Sequence, residues 1–325
     1  MTQWPITFED VLAARDRIRP HLPCTPLRGY ATLDAAVGCG IRVLVKHENH
    51  NPTNAFKVRN GLSVMTTLTP DERRRGVVAA SRGNHGMGLA WAGALLDVPV
   101  TICVPVGNNP EKNEAIVALG ARLIEEGRDY DEATLCADRL MREEGMRLVH
   151  STNDAMVIAG AATLSLEILE QAPEVDAIVS SVGGGSQAVG AITVARASRQ
   201  KVTVHGVQAE RASTIHDSWH ARRRMPAASA DTFADGLATR DIYEMTFGPL
   251  CEGLESFSTV SEEEIAAALR LLLRTTHNLA EGAGAAGLAG LIKRRDHLSG
   301  RTVAVILSGS NIDEATLRRV MTGGR

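Results

Sequence analysis

Three apolar, β-branched runs end directly in glycine-rich turns. They cover residues 76–80, 177–181 and 303–307, and the turns are 81–88 (SRGNHGMG), 182–190 (VGGGSQAVG) and 308–313 (SGSNID). Further strand patterns cover 41–45, 100–104 and 202–207. Helical periodicity covers 55–68, 85–96, 110–119, 130–144, 154–170, 186–196 and 262–275. Strands interleaved with helices need crossovers, so the pattern predicts an α/β fold with mainly parallel sheets. The strands are almost wholly apolar, as when helices cover both faces of a sheet. Ligands of such sheets sit beyond the carboxyl ends of the strands. The turns there, with residues 52–61 (PTNAFKVRNG), are therefore the candidate site. Residues 213–249, rich in Arg, Ala and Asp, read as a long excursion over the surface or into an interface.

Composition removes several classes of function. A length of 325 residues suits about two structural units, and 44% hydrophobic residues supply a large core. A formal charge of −3 leaves no basic footprint for nucleic acid, and 3% aromatics leave few stacking platforms. No apolar run approaches the ~20 residues of a membrane span. The amino terminus lacks the apolar stretch of a secretory signal. Five scattered cysteines (Cys24, Cys39, Cys103, Cys136, Cys251) contain no CxxC pair, so neither a disulfide framework nor a cysteine zinc site is expected. His-x-His and His-Glu-x-x-His spacings are missing, which predicts no catalytic transition metal. A cytoplasmic enzyme is the reading that remains.

Each motif taken singly has two meanings. Gly183, Gly184 and Gly185 follow a strand and open a helix, where backbone N–H groups and the helix dipole suit a phosphate. The same run fits a degenerate dinucleotide pattern with Glu210 roughly 20 residues on, or a tight turn with no ligand. Lys57 is a surface lysine, or an ammonium whose apolar flanks lower its pKa for Schiff-base chemistry. Asn84 can cap a helix, and His85 can be a satisfied interior histidine. Ser308 ends a strand where a hydroxyl can face a ligand, although the segment also reads as a cap for the following helix.

Together the loops are far more specific, and they resemble the fold type II pyridoxal-phosphate enzymes, in the serine/threonine dehydratase and serine racemase branch. The usual TGSFKxRG reads Thr53-Asn54-Ala55-Phe56-Lys57-Val58-Arg59-Asn60-Gly61 here. The usual S-[AS]-GNH-[AG] reads Ser81-Arg82-Gly83-Asn84-His85-Gly86. A glycine tetrad reads Gly183-Gly184-Gly185-Ser186, and SGGN reads Ser308-Gly309-Ser310-Asn311. Lys46 and Glu48 ahead of Pro52-Thr53 fit the same approach. The resemblance implies two parallel-sheet domains of the tryptophan synthase β type, with the cofactor between them. Residues 1–50 and 148–325 would form the large domain and 51–147 a small inserted one. It implies pyridoxal 5'-phosphate as cofactor, an amino acid substrate and a homodimer, with no regulatory domain after Asp313. Lys57 would hold the cofactor as a Schiff base and act as the base at Cα. Asn84 would bind its phenolic oxygen, Gly183 to Ser186 its phosphate, and Ser308 its ring nitrogen. A serine there leaves the nitrogen largely neutral and favours prompt β-elimination. Phe56 and Glu281 would add cofactor contacts, and Ser81 and Arg82 would line the catalytic side.

Departures from the family pattern narrow the chemistry. Racemases of the branch carry a serine acid/base where this chain has Arg82, and arginine does not deprotonate near neutral pH. A guanidinium there could instead grip a second substrate carboxylate, or turn outward. Asn54 and Ala55 replace Gly-Ser. Gln208 stands where racemase relatives place a first cation ligand, which predicts no metal, although Glu210 could partly compensate. The closest-looking subgroups are the dehydratase-like proteins of hydroxyectoine utilisation and the β-hydroxyaspartate dehydratases. The expected reaction is dehydration of a 3-hydroxy amino acid to a 2-oxo acid and ammonia, with 3-hydroxyaspartate going to oxaloacetate. Alternatives are a generic L-serine/L-threonine dehydratase, a dehydratase of a hydroxyectoine derivative and, with less support, an amino acid racemase. A nucleotide oxidoreductase built on residues 183–188 and a catalytically silent relative also stay open.

Overall fold

Residues 3–227 and 229–323 are described by a computed structural model. Among them ten strands form, β1 (Leu27–Gly29), β2 (Arg42–His47), β3 (Val77–Ala80), β4 (Val100–Val104), β5 (Arg122–Glu125), β6 (Arg147–Leu148), β7 (Ala177–Ser181), β8 (Thr203–Ala209), β9 (Ser256–Val260) and β10 (Thr302–Leu307). The larger sheet runs β1-β2-β10-β7-β8-β9 and the smaller β5-β4-β3-β6. Every pairing is parallel except β1 with β2. The chain is thus α/β with parallel sheets.

Side chains alternate across each sheet with the two-residue period of a strand. In β10, Val303, Val305 and Leu307 enter the core on one face, while Ala304 and Ile306 enter that on the other. In β3, Val77 and Ala79 likewise part from Val78 and Ala80. Helices cover both faces, so the inner strands need no polar residues.

The helix Lys57–Met65 is shorter than the 55–68 expected, for a local reason at each end. Ala55 and Phe56 are held by the loop after β10, through a bridge to Gly309 and a hydrogen bond to Ser308. Beyond Met65, the hydroxyls of Thr66 and Thr67 fold back onto Leu62 O and Val64 O, both acceptors within the helix's last turn. The helix is pressed between Asn84–Leu96 and Ala155–Gln171. A Cβ on Gly88 would stand 2.5 Å from Lys57 O, and one on Gly160 would stand 2.5 Å from Arg59 O. Only glycine lets the backbones approach this closely, and the approach fixes where Lys57 begins its helix.

Beneath that helix lies a buried ion cluster. Arg59, 1% exposed, donates to Glu48 Oε2 and Glu167 Oε1, both at 2.7 Å, and Lys46 donates to Glu167 Oε2 at 2.6 Å. Thr25 and Asn51 donate to Glu48. Two cations meet two carboxylates, which is the condition for keeping charges out of water. Burial alone would raise the Glu167 carboxyl, but Arg59 and Lys46 pull it down to about 2.

The 213–249 segment is an exposed excursion over 221–227, as expected, but its two ends are structured. It carries the helix Thr214–Ala221, the turn Asp235–Leu237 and the start of the helix Glu244–Gly253, and it buries Ala234 and Leu237.

Candidate active site

The lysine turn and the loop after β10 are stitched together. Phe56 N donates to Ser308 O and Ser310 N to Asn54 O, each at 2.9 Å. Asn311 Nδ2 donates to Thr53 O at 2.9 Å. Asn54 sits at φ 53°, in the left-handed region. Asparagine is among the non-glycine residues that tolerate this conformation best, which explains how it replaces the motif's glycine.

Asn311 also joins the loop after β3, donating to Asn84 Oδ1 at 2.7 Å. Asn84 Nδ2 in turn donates to Glu281 Oε1 at 2.7 Å, and Glu281 leads into the helix Gly282–Lys293. Asn84 is therefore not the cap of its own helix, a correction to that reading. Ser81 does the capping, its Oγ accepting from Gly83 N at 3.2 Å and Gly86 N at 2.8 Å. Arg82 is exposed, and its guanidinium makes no hydrogen bond or ion pair among the described residues. The Ser308 side chain is buried, and its hydroxyl likewise makes none.

Lys57 reaches the segment that follows β6. Its Nζ donates to Ser151 O at 3.2 Å and lies 5.1 Å from the Phe56 ring centre. The side chain is half-buried by surface area yet deep among protein atoms. That depth, rather than a neighbouring charge, lowers its pKa from 10.5 to about 8. Beside Asn84, burial raises the Glu281 carboxyl to about 7, in spite of the Asn84 hydrogen bond and the nearby Lys112.

The glycine turn after β7 leads into the helix Ser186–Ala197, with Gly185 at φ 101° as its cap residue and no side-chain cap. A Cβ on Gly184 would fall 2.0 Å from Thr152 Oγ1, and one on Gly183 would fall 2.2 Å from Gly236 O. Thr246 Oγ1 donates to Gly184 O at 2.7 Å, which fixes the turn from a third side. The first backbone N–H groups of a helix have no partner within it, a feature that suits an anion.

The family model for pyridoxal-phosphate dependent enzymes matches residues 18–309. The chain belongs to this family. It is 35% identical over 319 residues to an L-threonine ammonia-lyase of Thermotoga maritima, covering 98% of this chain and 79% of that protein. Among solved structures, maize serine racemase superposes with a TM-score of 0.92 at 27% identity, covering 98% of each chain. A pyridoxal 5'-phosphate-dependent aspartate racemase superposes at 0.90 with 29% identity, covering 98% of this chain and 99% of that one.

The site of this pyridoxal-phosphate enzyme fits its cofactor on its own geometry. Gly183 and Gly184 leave no room for a Cβ at a helix start, and the lysine of lowered basicity has no acidic partner among the described residues. The dinucleotide reading fails with the family match, and Glu210 is exposed. Gln208 is fully buried and accepts from His216 N at 2.9 Å. No helix among the described residues is long and apolar enough to cross a membrane.

Residues 150–153 and the Asp235–Gly236 turn, which pack on Lys57 and the glycine turn, carry no sequence signal. Ser151 and Thr152 follow β6, a strand of two residues that leaves no pattern to read. Asp235 is ion-paired with Lys112, which joins the 213–249 segment to the helix Pro110–Ala118.

Proposed function

We propose that the enzyme dehydrates a 3-hydroxy amino acid to a 2-oxo acid and ammonia, with 3-hydroxyaspartate as its best substrate. What supports the reading is one set of contacts: Phe56, next to Lys57, bonds Ser308, Asn311 of the same loop bonds Asn84, and Lys57 and Gly184 both meet residues 151–152, with burial lowering the Lys57 amine to about 8. Pyridoxal phosphate, when bound, supplies the electron sink for charge developing at Cα. Lys57 would hold it and take the α-proton at Nζ. Gly183, Gly184, Gly185 and Ser186 would receive its phosphate on backbone N–H groups. Asn84 would donate its remaining N–H to the phenolic oxygen, Ser308 would face the ring nitrogen, and Phe56 would flank Lys57. A proton-transferring group of this kind contributes about 10²–10⁴-fold. Loss of water from Cα and Cβ leaves an enamine, which tautomerises and hydrolyses to the oxo acid and ammonia.

Ser81 would shape the loop, since its hydroxyl already serves two backbone amides. Racemisation accordingly has less support, with Arg82 next in the chain. Arg82 stands beside the Asn84 loop with its guanidinium unpaired, a state suited to a second carboxylate. A hydrogen bond to a charged group is worth roughly 1.5–3 kcal/mol, or about 10–150-fold in preference. The second reading is a plain serine/threonine ammonia-lyase. It is favoured by the Thermotoga maritima relative and by the exposure of Arg82. The test is kcat/KM for 3-hydroxyaspartate, serine and threonine in wild type and Arg82→Ala. The proposal expects 3-hydroxyaspartate to lead by that factor and the lead to vanish in the variant. A wild type that prefers threonine selects the second reading.

A further inference from the structure

Two of the five cysteines, 33 residues apart in the chain, meet beside the smaller sheet. Cys103 lies on β4 and Cys136 on the helix Tyr130–Glu144. The Cys103 S–H donates to Cys136 Sγ at 3.3 Å. Small side chains bring the two elements this close. Ala133 and Ala137 flank Cys136 and share one core with it and with Val78 and Ala80 of β3. Among the described residues no third His, Cys, Asp or Glu joins the pair in a group that could hold a metal. The remaining cysteines stand apart, Cys24 and Cys39 exposed and Cys251 half-buried.

The two sulfurs are shielded unequally. Arg139 Nη2 donates to Cys136 Sγ at 3.6 Å and to Glu126 Oε2 at 2.8 Å. Both of these charged side chains are 44% exposed, so Cys136 lies one side chain below solvent. Cys103 is deeper, on a strand held between β3 and β5. Burial first, and the Cys136 contact next, push its thiol far above the ordinary range, so Cys103 keeps its proton. The pair thus has an order. One sulfur sits under a guanidinium, where a small polar reagent reaches it by displacing a single surface ion pair. The other is a protonated thiol already held against the first.

We propose that Cys136 and Cys103 are a peroxide-sensitive modification site that closes into a disulfide in the folded chain. The Cys136 sulfur attacks a peroxide oxygen and the O–O bond breaks. One hydroxyl stays on sulfur as a sulfenic acid, and the other leaves as water with the thiol proton. The Cys103 sulfur then attacks the Cys136 sulfur. The S–O bond breaks, the S–S bond forms, and the Cys103 proton leaves with the hydroxyl as a second water. The two sulfurs lose two electrons in all, and the peroxide gains them. The sulfurs need only close from 3.3 Å to about 2.0 Å. The cross-link ties the helix to the strand whose Cys103 O accepts Ser81 N at 3.1 Å, where the turn carrying Asn84 begins.

The test treats the holoenzyme with hydrogen peroxide, quenches it with acid, alkylates it in denaturant and maps the peptides by mass spectrometry. The Cys103 and Cys136 peptides should appear joined and lighter by two hydrogens, with neither linked to Cys24, Cys39 or Cys251. Dithiothreitol should restore both thiols. The oxidised holoenzyme should melt above the reduced one, because a cross-link that fits the fold restricts the unfolded chain. Neither readout needs a variant to fold. In Cys103→Ser, dimedone should capture a sulfenic acid on Cys136, and in Cys136→Ser it should label Cys103 about tenfold more slowly or less. Both thiols still free after the exposed cysteines have reacted, a disulfide to any other cysteine, a lowered melting point, or equal dimedone labelling in the two variants overturns the inference.

Discussion

Glu281 accepts the Asn84 amide at 2.7 Å while Asn311 donates to the other end of the same amide, also at 2.7 Å. Asn84 is thereby oriented from both sides, with a single N–H left for a ligand. Glu281→Ala should release it. A lost hydrogen bond of about 1–3 kcal/mol corresponds to roughly 5–150-fold weaker cofactor binding. Fluorescence titration with pyridoxal phosphate reads this directly, and unchanged affinity would separate Glu281 from the site.

Gly184 tests the anion cradle. A methyl group there would meet Thr152 Oγ1 at 2.0 Å. Gly184→Ala should lose cofactor affinity, and Gly184→Ala with Thr152→Gly should recover part of it. A single variant that binds as tightly as wild type would show that the cradle is not the phosphate site.

The ion cluster under the lysine helix is a stability element. Arg59→Met leaves Glu48 and Glu167 facing each other without their shared cation. Breaking such a pair costs about 3–5 kcal/mol, which urea unfolding can resolve. A loss below 1 kcal/mol would mean that water reaches the cluster.

Acid should destabilise the fold through histidines as well as carboxylates. Burial is the first cause that lowers His47 and His205 to about 4 and His85 to about 3. The unfolded chain binds these protons near pH 6.5, so between pH 6.5 and 4 it holds more protons than the folded one. Stability therefore falls as pH falls through that window, by up to about 1.4 kcal/mol per pH unit for each histidine. Replacing His205 with Asn should flatten the slope by one proton in denaturant titrations at pH 6 and pH 4.5. An unchanged slope would show that His205 is not buried neutral.

What could be read from sequence follows burial. The six strands predicted are β2, β3, β4, β7, β8 and β10, and these are the interior strands of the two sheets. Covered on both faces, they are apolar throughout. The four missed strands are the edges, β1, β5, β6 and β9. They are short, or carry charged and hydroxyl residues such as Arg122, Glu125, Ser256 and Thr259. The helix Gly282–Lys293 escaped for the opposite reason. Four glycines interrupt the good helix formers of its sequence, GAGAAGLAGLIK, yet it packs on β7, β8, β9 and β10, where small residues allow close contact. Within the site, Lys57, Asn84 and the glycine turn were legible because each follows a recognisable turn. Ser151, Thr152, His150 and Asp235 were not, because tertiary packing alone brings them to these loops.

We propose that Lys57 holds pyridoxal phosphate and performs the proton transfer of a hydroxy-amino acid ammonia-lyase. The most direct measurement is borohydride reduction of the holoenzyme followed by peptide mass spectrometry. Oxo acid release is followed in parallel for wild type and Lys57→Ala. The expected result is cofactor on Lys57 alone, with loss of both the attachment and nearly all oxo acid release in the variant. Cofactor attached to another lysine, or a Lys57→Ala protein that still releases oxo acid at the wild-type rate, would contradict it.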